Sequence, residues 1–235
     1  MNRLRPNDQR AKVAIIFIWI VMGISMIIMI SCYFQNILLH KALNGGRITS
    51  EMANSNDQRH LSIMILYIVF YIVSSITFIM WFRRAYFNLH LKVKNLTHSE
   101  GWASGSWFVP FLNLGRPFII MKELFFESTI LINRAEVTEK KEINFNLISW
   151  WWGLWLFEGI SDRVMSRYAK SYQGLNDLIF STNWQIFNSI VMIPLAIVTV
   201  LVIKKYSKLE EKLRLLPSDN KNDQVFLGDN DLLDG

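Results

Sequence analysis

Between Val13 and Phe34 the chain reads VAIIFIWIVMGISMIIMISCYF, without one charged side chain. No other feature constrains the fold as tightly. About 20 apolar residues in helical form cross the ~30 Å hydrocarbon core of a bilayer, and a helix pairs its own backbone polar groups there. Arg3, Arg5, Arg10 and Lys12 precede the run and lend it the outline of a secretory signal. Its length and the missing small-x-small cleavage pattern point instead to a retained first span. A second uncharged run, Leu61 to Phe82, stops at Arg83-Arg84. Another, Ile186 to Ile203, contains Pro194 and closes at Lys204-Lys205. Proline is tolerated inside a membrane helix. Phe145 to Met165 is a weaker span, uninterrupted only over Leu147 to Phe157 and crossed by Glu158, Asp162 and Arg163.

Charge placement favours including that fourth crossing. Of the 25 Lys and Arg, four precede the first run, nine lie between Arg83 and Lys141, and six follow from Lys204 onward. Four crossings put all three groups on one side, and the positive-inside rule makes that side, with both termini, cytoplasmic. Three crossings would set the basic C-terminal flank opposite the basic N-terminal one. The net charge of +6 is then a topology signal, and no nucleic-acid partner is expected. The expected fold is an all-α membrane protein, a four-transmembrane-helix bundle with a re-entrant or interfacial segment between helices two and three. Its parts are a cytoplasmic segment 1–12, a four-span membrane domain 13–205 containing a structured cytoplasmic segment 83–144, a short amphipathic helix 206–216 and a flexible acidic tail 217–235. The outside connections, Gln35 to His60 and Ser166 to Gln185, read as turn-forming, solvated or interfacial stretches, the second carrying Tyr168, Tyr172 and Trp184.

The central segment is unlike a linker. Trp102 to Met121, WASGSWFVPFLNLGRPFIIM, is apolar yet repeatedly punctuated by Gly, Ser and Pro. Non-helical backbone at membrane depth must be covered by protein, so this stretch is placed as re-entrant or interface-lying, followed by an interfacial helix that starts near Pro117. MWFRRAYFNLH at Met80 to His90, GWASGSWFVPFLNLGRPFIIMKEL at Gly101 to Leu124, and WWGLWLF at Trp151 to Phe157 together resemble the domain of unknown function 4328 family. The resemblance runs from the second span through the last and implies a bacterial polytopic protein of the inner, cytoplasmic membrane. It brings no established activity. Arg84, Asn88, Gly101, Trp102, Trp107, Pro110, Asn113, Pro117 and Glu123 match the family pattern, whereas Gly115 stands where a bulky aromatic is expected and leaves room beside Arg116.

The chemistry-bearing residues form two groups. Arg83, Arg84, Asn88, Trp102, Trp107, Asn113, Arg116 and Glu123 are candidates for a ligand or a lipid headgroup, because guanidinium forks suit phosphates and carboxylates alike. Internal ion pairing with Glu123 or Glu127, and interfacial anchoring by the tryptophans, compete with that role. Glu158 and Asp162 are four residues apart on one helix face with Arg163 beside them, and charge inside a membrane carries a functional implication. His90 and His98 need an unbroken helix to share a face, which Thr97, Ser99 and Gly101 oppose. Cys32 is the single cysteine. No catalytic motif, metal set or cofactor motif is present, so catalytic, metal and cofactor assignments are all none. The expected function is a non-enzymatic inner-membrane accessory or scaffold protein that binds anionic lipids, a membrane protein partner or a second copy of itself. One alternative is a small transporter or channel using Glu158 and Asp162; a further one is a membrane enzyme on a lipid substrate, with Arg84 and Arg116 as headgroup binders and Glu123 as acid or base.

Overall fold

A computed structural model describes residues 4–135, 142–168 and 174–216. Among these the regular structure is entirely helical: α1 (Asp8–Leu43), α2 (Ser50–His90), α3 (Trp102–Gly105), a 3-10 helix (Leu112–Leu114), α4 (Arg116–Ala135), α5 (Asn146–Tyr168) and α6 (Leu175–Leu215). Among the described residues three helices, α1, α2 and α6, are long and apolar enough to cross a membrane, which makes this a multi-pass helical membrane architecture. The expected span 145–165 falls on α5 but for its first residue, and α5 is not among the three. Glu158, Asp162 and Arg163 cut its apolar run short.

The helices are longer than the uncharged runs inside them. The expected solvated connection from Gln35 to His60 shrinks to residues 44–49, because α1 continues to Leu43 and α2 already starts at Ser50. Asn44-Gly45-Gly46 makes the turn. Gly45 has φ +76°, which suits glycine, and a Cβ on Gly46 would lie 2.8 Å from the Lys41 carbonyl oxygen. Thr49 caps α2 by accepting the Met52 N–H at 3.2 Å. The polar run NSNDQR is helical because Arg59 ties it to α1, donating to the Ser31 hydroxyl at 3.2 Å and carbonyl at 3.3 Å, and to Asn56 Oδ1 at 2.6 Å. Likewise Lys204-Lys205 do not end α6. Residues 206–215 are its final turns and not a separate amphipathic helix. The tail 217–235 lies outside the described residues.

The chain divides into two compact units. The long-helix unit takes Arg10–Phe78 and Asn146–Lys204. Its core packs Ile24, Ile28 and Cys32 of α1 against Met64, Tyr67 and Phe70 of α2 and Ile186 of α6. Most of its apolar surface stays uncovered. Only 33%, 11% and 39% of the most apolar windows of α1, α2 and α6 are buried, so hydrocarbon must solvate the remainder. The loop-bearing unit takes residues 1–9, 79–145 and 205–235. Trp81, Phe82, Tyr86, Leu124 and Tyr206 are fully buried there, in a close-packed interior. The Tyr206 ring meets Trp81 at 6.1 Å and Phe125 at 5.5 Å between centroids.

Candidate functional site

In the loop-bearing unit, most of the conspicuous polar residues hold the unit together. Glu123 of α4 accepts the Tyr86 hydroxyl at 2.6 Å through one oxygen and the Thr97 N–H at 2.6 Å through the other. The same hydroxyl accepts the His98 N–H at 3.3 Å, so the stretch after α2 is stapled to α2 and α4. Burial, and then the charge of Arg116, lowers the His98 pKa against the opposing pull of Glu123. At the other polar centre Glu210 is 2% exposed. It accepts Asn88 Nδ2 at 2.6 Å and Asn7 Nδ2 at 3.0 Å. Asn88 also exchanges hydrogen bonds with the Arg5 backbone, accepting its N–H at 2.9 Å and donating to its carbonyl at 2.8 Å. This network pins Arg5 and Asn7, just before α1.

On that frame stands a loop built for display. Trp107 is fixed by donating Nε1–H to the Ala103 carbonyl at 3.1 Å and by an edge contact with Phe82. Arg116 lies 4.1 Å above the Trp102 ring, a cation–π contact that braces the start of α4. Pro117 occupies the first turn of α4, where its missing N–H does no harm. Between these posts Phe108 and Phe111 are 75% and 86% exposed, with Val109 and Leu114 also on the surface. Phe111 has φ +65° and sits in a tight turn closed by Leu112 N–H on the Pro110 carbonyl at 2.8 Å. A bulky residue in that region is strained, and such strain concentrates at functional sites.

The long-helix unit holds a cavity of about 460 Å³ lined by residues of α1, α2, α5 and α6. Glu158 lies in its wall, 6% exposed, and accepts no hydrogen bond from any described residue. Asp162 lines the same cavity from a more exposed position. Asn188 donates to Asp162 at 3.2 Å, with its amide oriented by the Ser161 hydroxyl at 2.8 Å. Tyr67 and Trp184 supply aromatic walls. None of the described lining residues is Lys, Arg or His.

The profile of a domain of unknown function, DUF4328, matches residues 44–208, more than half of the sequence. The chain belongs to the DUF4328 family. No curated protein and no solved structure matches it. The DUF4328 match covers α2 to most of α6, the extent the sequence motifs imply, and begins just after α1.

In this DUF4328 chain the sequence-predicted residues separate into several local settings. Arg83 is exposed and reaches Glu100 at 4.0 Å, while Arg84 lies 5.8 Å from the Phe87 ring. Asn88 belongs to the Glu210 network, and Glu123 to the Tyr86 staple. Trp102, Trp107 and Arg116 frame the exposed loop. Asn113 lies within it, its N–H on the Val109 carbonyl at 3.1 Å. A Cβ at Gly115 would meet nothing within 4 Å, so that position is indeed open. Glu158 and Asp162 share the cavity, whereas Arg163 is exposed and outside its lining. His90 ends α2 under the edge of Tyr86, and His98 lies beyond it, so no helix joins the two histidines. Cys32 is buried and donates Sγ–H to Gln185 at 3.3 Å. Among the described residues no group of His, Cys, Asp and Glu could hold a metal ion. Asn7, Tyr86 and Glu210 are absent from the sequence-predicted set, and the only legible signal for Glu210 was an acidic residue on the leucine-bearing stretch 206–216.

Proposed function

We propose that the protein is a non-enzymatic membrane accessory or scaffold protein that engages anionic lipid through its aromatic loop. It crosses a bacterial inner membrane four times, α5 joining α1, α2 and α6, with both termini in the cytoplasm. The parts that sequence delimits serve this role: 1–12, 13–205 with its structured segment 83–144, the α6 end 206–216 and the tail 217–235. The observation that carries the reading is the display of Phe108 and Phe111 on a braced loop, the second at a strained backbone position. Aromatic side chains settle at the headgroup level of a bilayer, and Arg83, Arg84 and Lys122 in the same unit suit anionic headgroups. A membrane protein partner or a second copy would meet the bare α2 face that carries Ile65, Ile68, Ile72 and Ile76.

The test uses Phe111→Cys in a Cys32→Ser background, labelled with a polarity-sensitive fluorophore in nanodiscs containing phosphatidylglycerol. Blue-shifted emission, quenched by lipid spin-labelled near the carbonyls, is expected. Emission characteristic of water, insensitive to that quencher, removes the loop from the membrane.

A second reading, a small transporter, is favoured by one observation: a buried carboxyl group with no hydrogen-bond partner among the described residues lines a cavity among four helices. Intramembrane carboxylates mark ion and substrate paths. Flux across reconstituted vesicles, abolished by Glu158→Gln, tests it.

A further inference from the structure

The second reading leaves the cargo undefined, and the cavity itself narrows it. Glu158 in the wall and Asp162 in a more exposed position place two carboxyl groups in one cavity, with no basic side chain among the described lining residues to balance their charge. Asn188 stabilises Asp162, but Glu158 has no donor at all among the described residues. A carboxyl group that is nine-tenths buried and unpaired among the described residues either keeps its proton or takes a cation or donor from outside the chain.

A bare metal ion answers that demand poorly. Hard cations such as calcium gather six to eight oxygen ligands at short distance, and the described residues contain no cluster able to hold a metal. The volume of about 460 Å³ also far exceeds a dehydrated ion and falls in the range of small-molecule sites. The rest of the wall is apolar and polarizable. Met64, Met165 and Met192 line it with Tyr67 and Trp184. Thioethers adapt to varied shapes, and aromatic faces attract ammonium groups. Trp184 is held by its neighbours Phe180 and Phe187, at 6.3 and 5.7 Å between ring centroids.

We infer that this cavity binds a lipophilic organic cation, an ammonium group on an apolar or aromatic body, with its charge at Glu158 and Asp162 and its body against the methionines and Trp184. The inference rests on the second reading only in taking the cavity for a ligand site; it requires binding and not passage.

The experiment is calorimetric titration of the full chain in nanodiscs with benzyltrimethylammonium. Neopentylbenzene, which has carbon in place of the charged nitrogen, is the control for charge, and potassium and calcium chloride are the controls for metal ions. Saturable binding of the ammonium compound is expected, weakened about tenfold or more by Glu158→Gln and also weakened by Asp162→Asn. Equal affinity for the neutral compound overturns the inference, as does unchanged binding in both variants while they stay folded. Binding of metal ions alone overturns it too, yet leaves a transport role standing. Flux without ammonium binding has the same meaning, whereas ammonium binding without flux ends the transport role and keeps the site.

Discussion

Glu210 shows how much one side chain can organise in this protein. Its two oxygens satisfy Asn88 and Asn7, residues brought from α2 and from the segment before α1. Truncation by Glu210→Ala strands both donors in a dry interior and is expected to destabilise by about 3 kcal/mol. Glu210→Gln should cost less, about 1 to 2 kcal/mol, because Asn7 can turn its buried, unpartnered Oδ1 toward the new amide while giving up the 3.4 Å bond from its Nδ2 to the Trp81 carbonyl. Thermal unfolding of the purified variants separates the two outcomes. Burial raises the Glu210 pKa, the donors from Asn88 and Asn7 and the charge of Arg214 pull it down, and Asp8 raises it; the net direction is upward. Glu210 lies beyond the uncharged stretch of α6. The folded state therefore keeps the proton to higher pH than the unfolded chain, whose value is about 4.3. This contribution is complete below the unfolded value and is lost as pH rises through the folded one. Unfolding temperature measured across that window should fall less steeply with pH in Glu210→Gln than in the natural chain. Identical slopes would dissociate Glu210 from the pH response.

Among elements, the loop from Trp107 to Gly115 sets display against stability. A Phe111→Gly substitution releases the positive φ and should raise the unfolding temperature, by a gain of about 1 kcal/mol after the entropy of glycine in the unfolded chain is subtracted. The same variant should lose anionic lipid during gentle detergent purification, as read by mass analysis of the retained lipids. A substitution that raised stability without releasing lipid would separate the strain from the contact. The sequence announces the three long helices because uncharged runs have few other uses. It is silent on their true lengths. NSNDQR is as suited to a turn as to a helix, and only Arg59 reaching Ser31, 28 positions away, settles which it is. Asn7 and Glu210, 203 positions apart, meet through tertiary folding that no local pattern encodes. Glu158 and Asp162 were readable as a pair from their spacing. The cavity they line was not, because its other walls come from separate helices.

For the whole molecule, the proposed topology predicts that the two ends of α2 lie on opposite sides of the membrane. In a Cys32→Ser background, Arg47→Cys should react with an impermeant maleimide added to intact cells, and Ser99→Cys only after the membrane is opened. Reaction of both from the same face would break the proposed path of α2. The family boundaries carry a separate consequence. The match spans residues 44–208, so its edges fall after α1 and before Glu210. A chain cut at those edges would lose the Ile24, Ile28 and Cys32 seam of one unit and, in the other, both Asn7 and the carboxylate it binds. The recognisable stretch thus omits contacts that both units use. Expression trials trimmed to the family limits should yield aggregated protein, while a chain that keeps both α1 with Asn7 and the end of α6 with Glu210 retains these contacts.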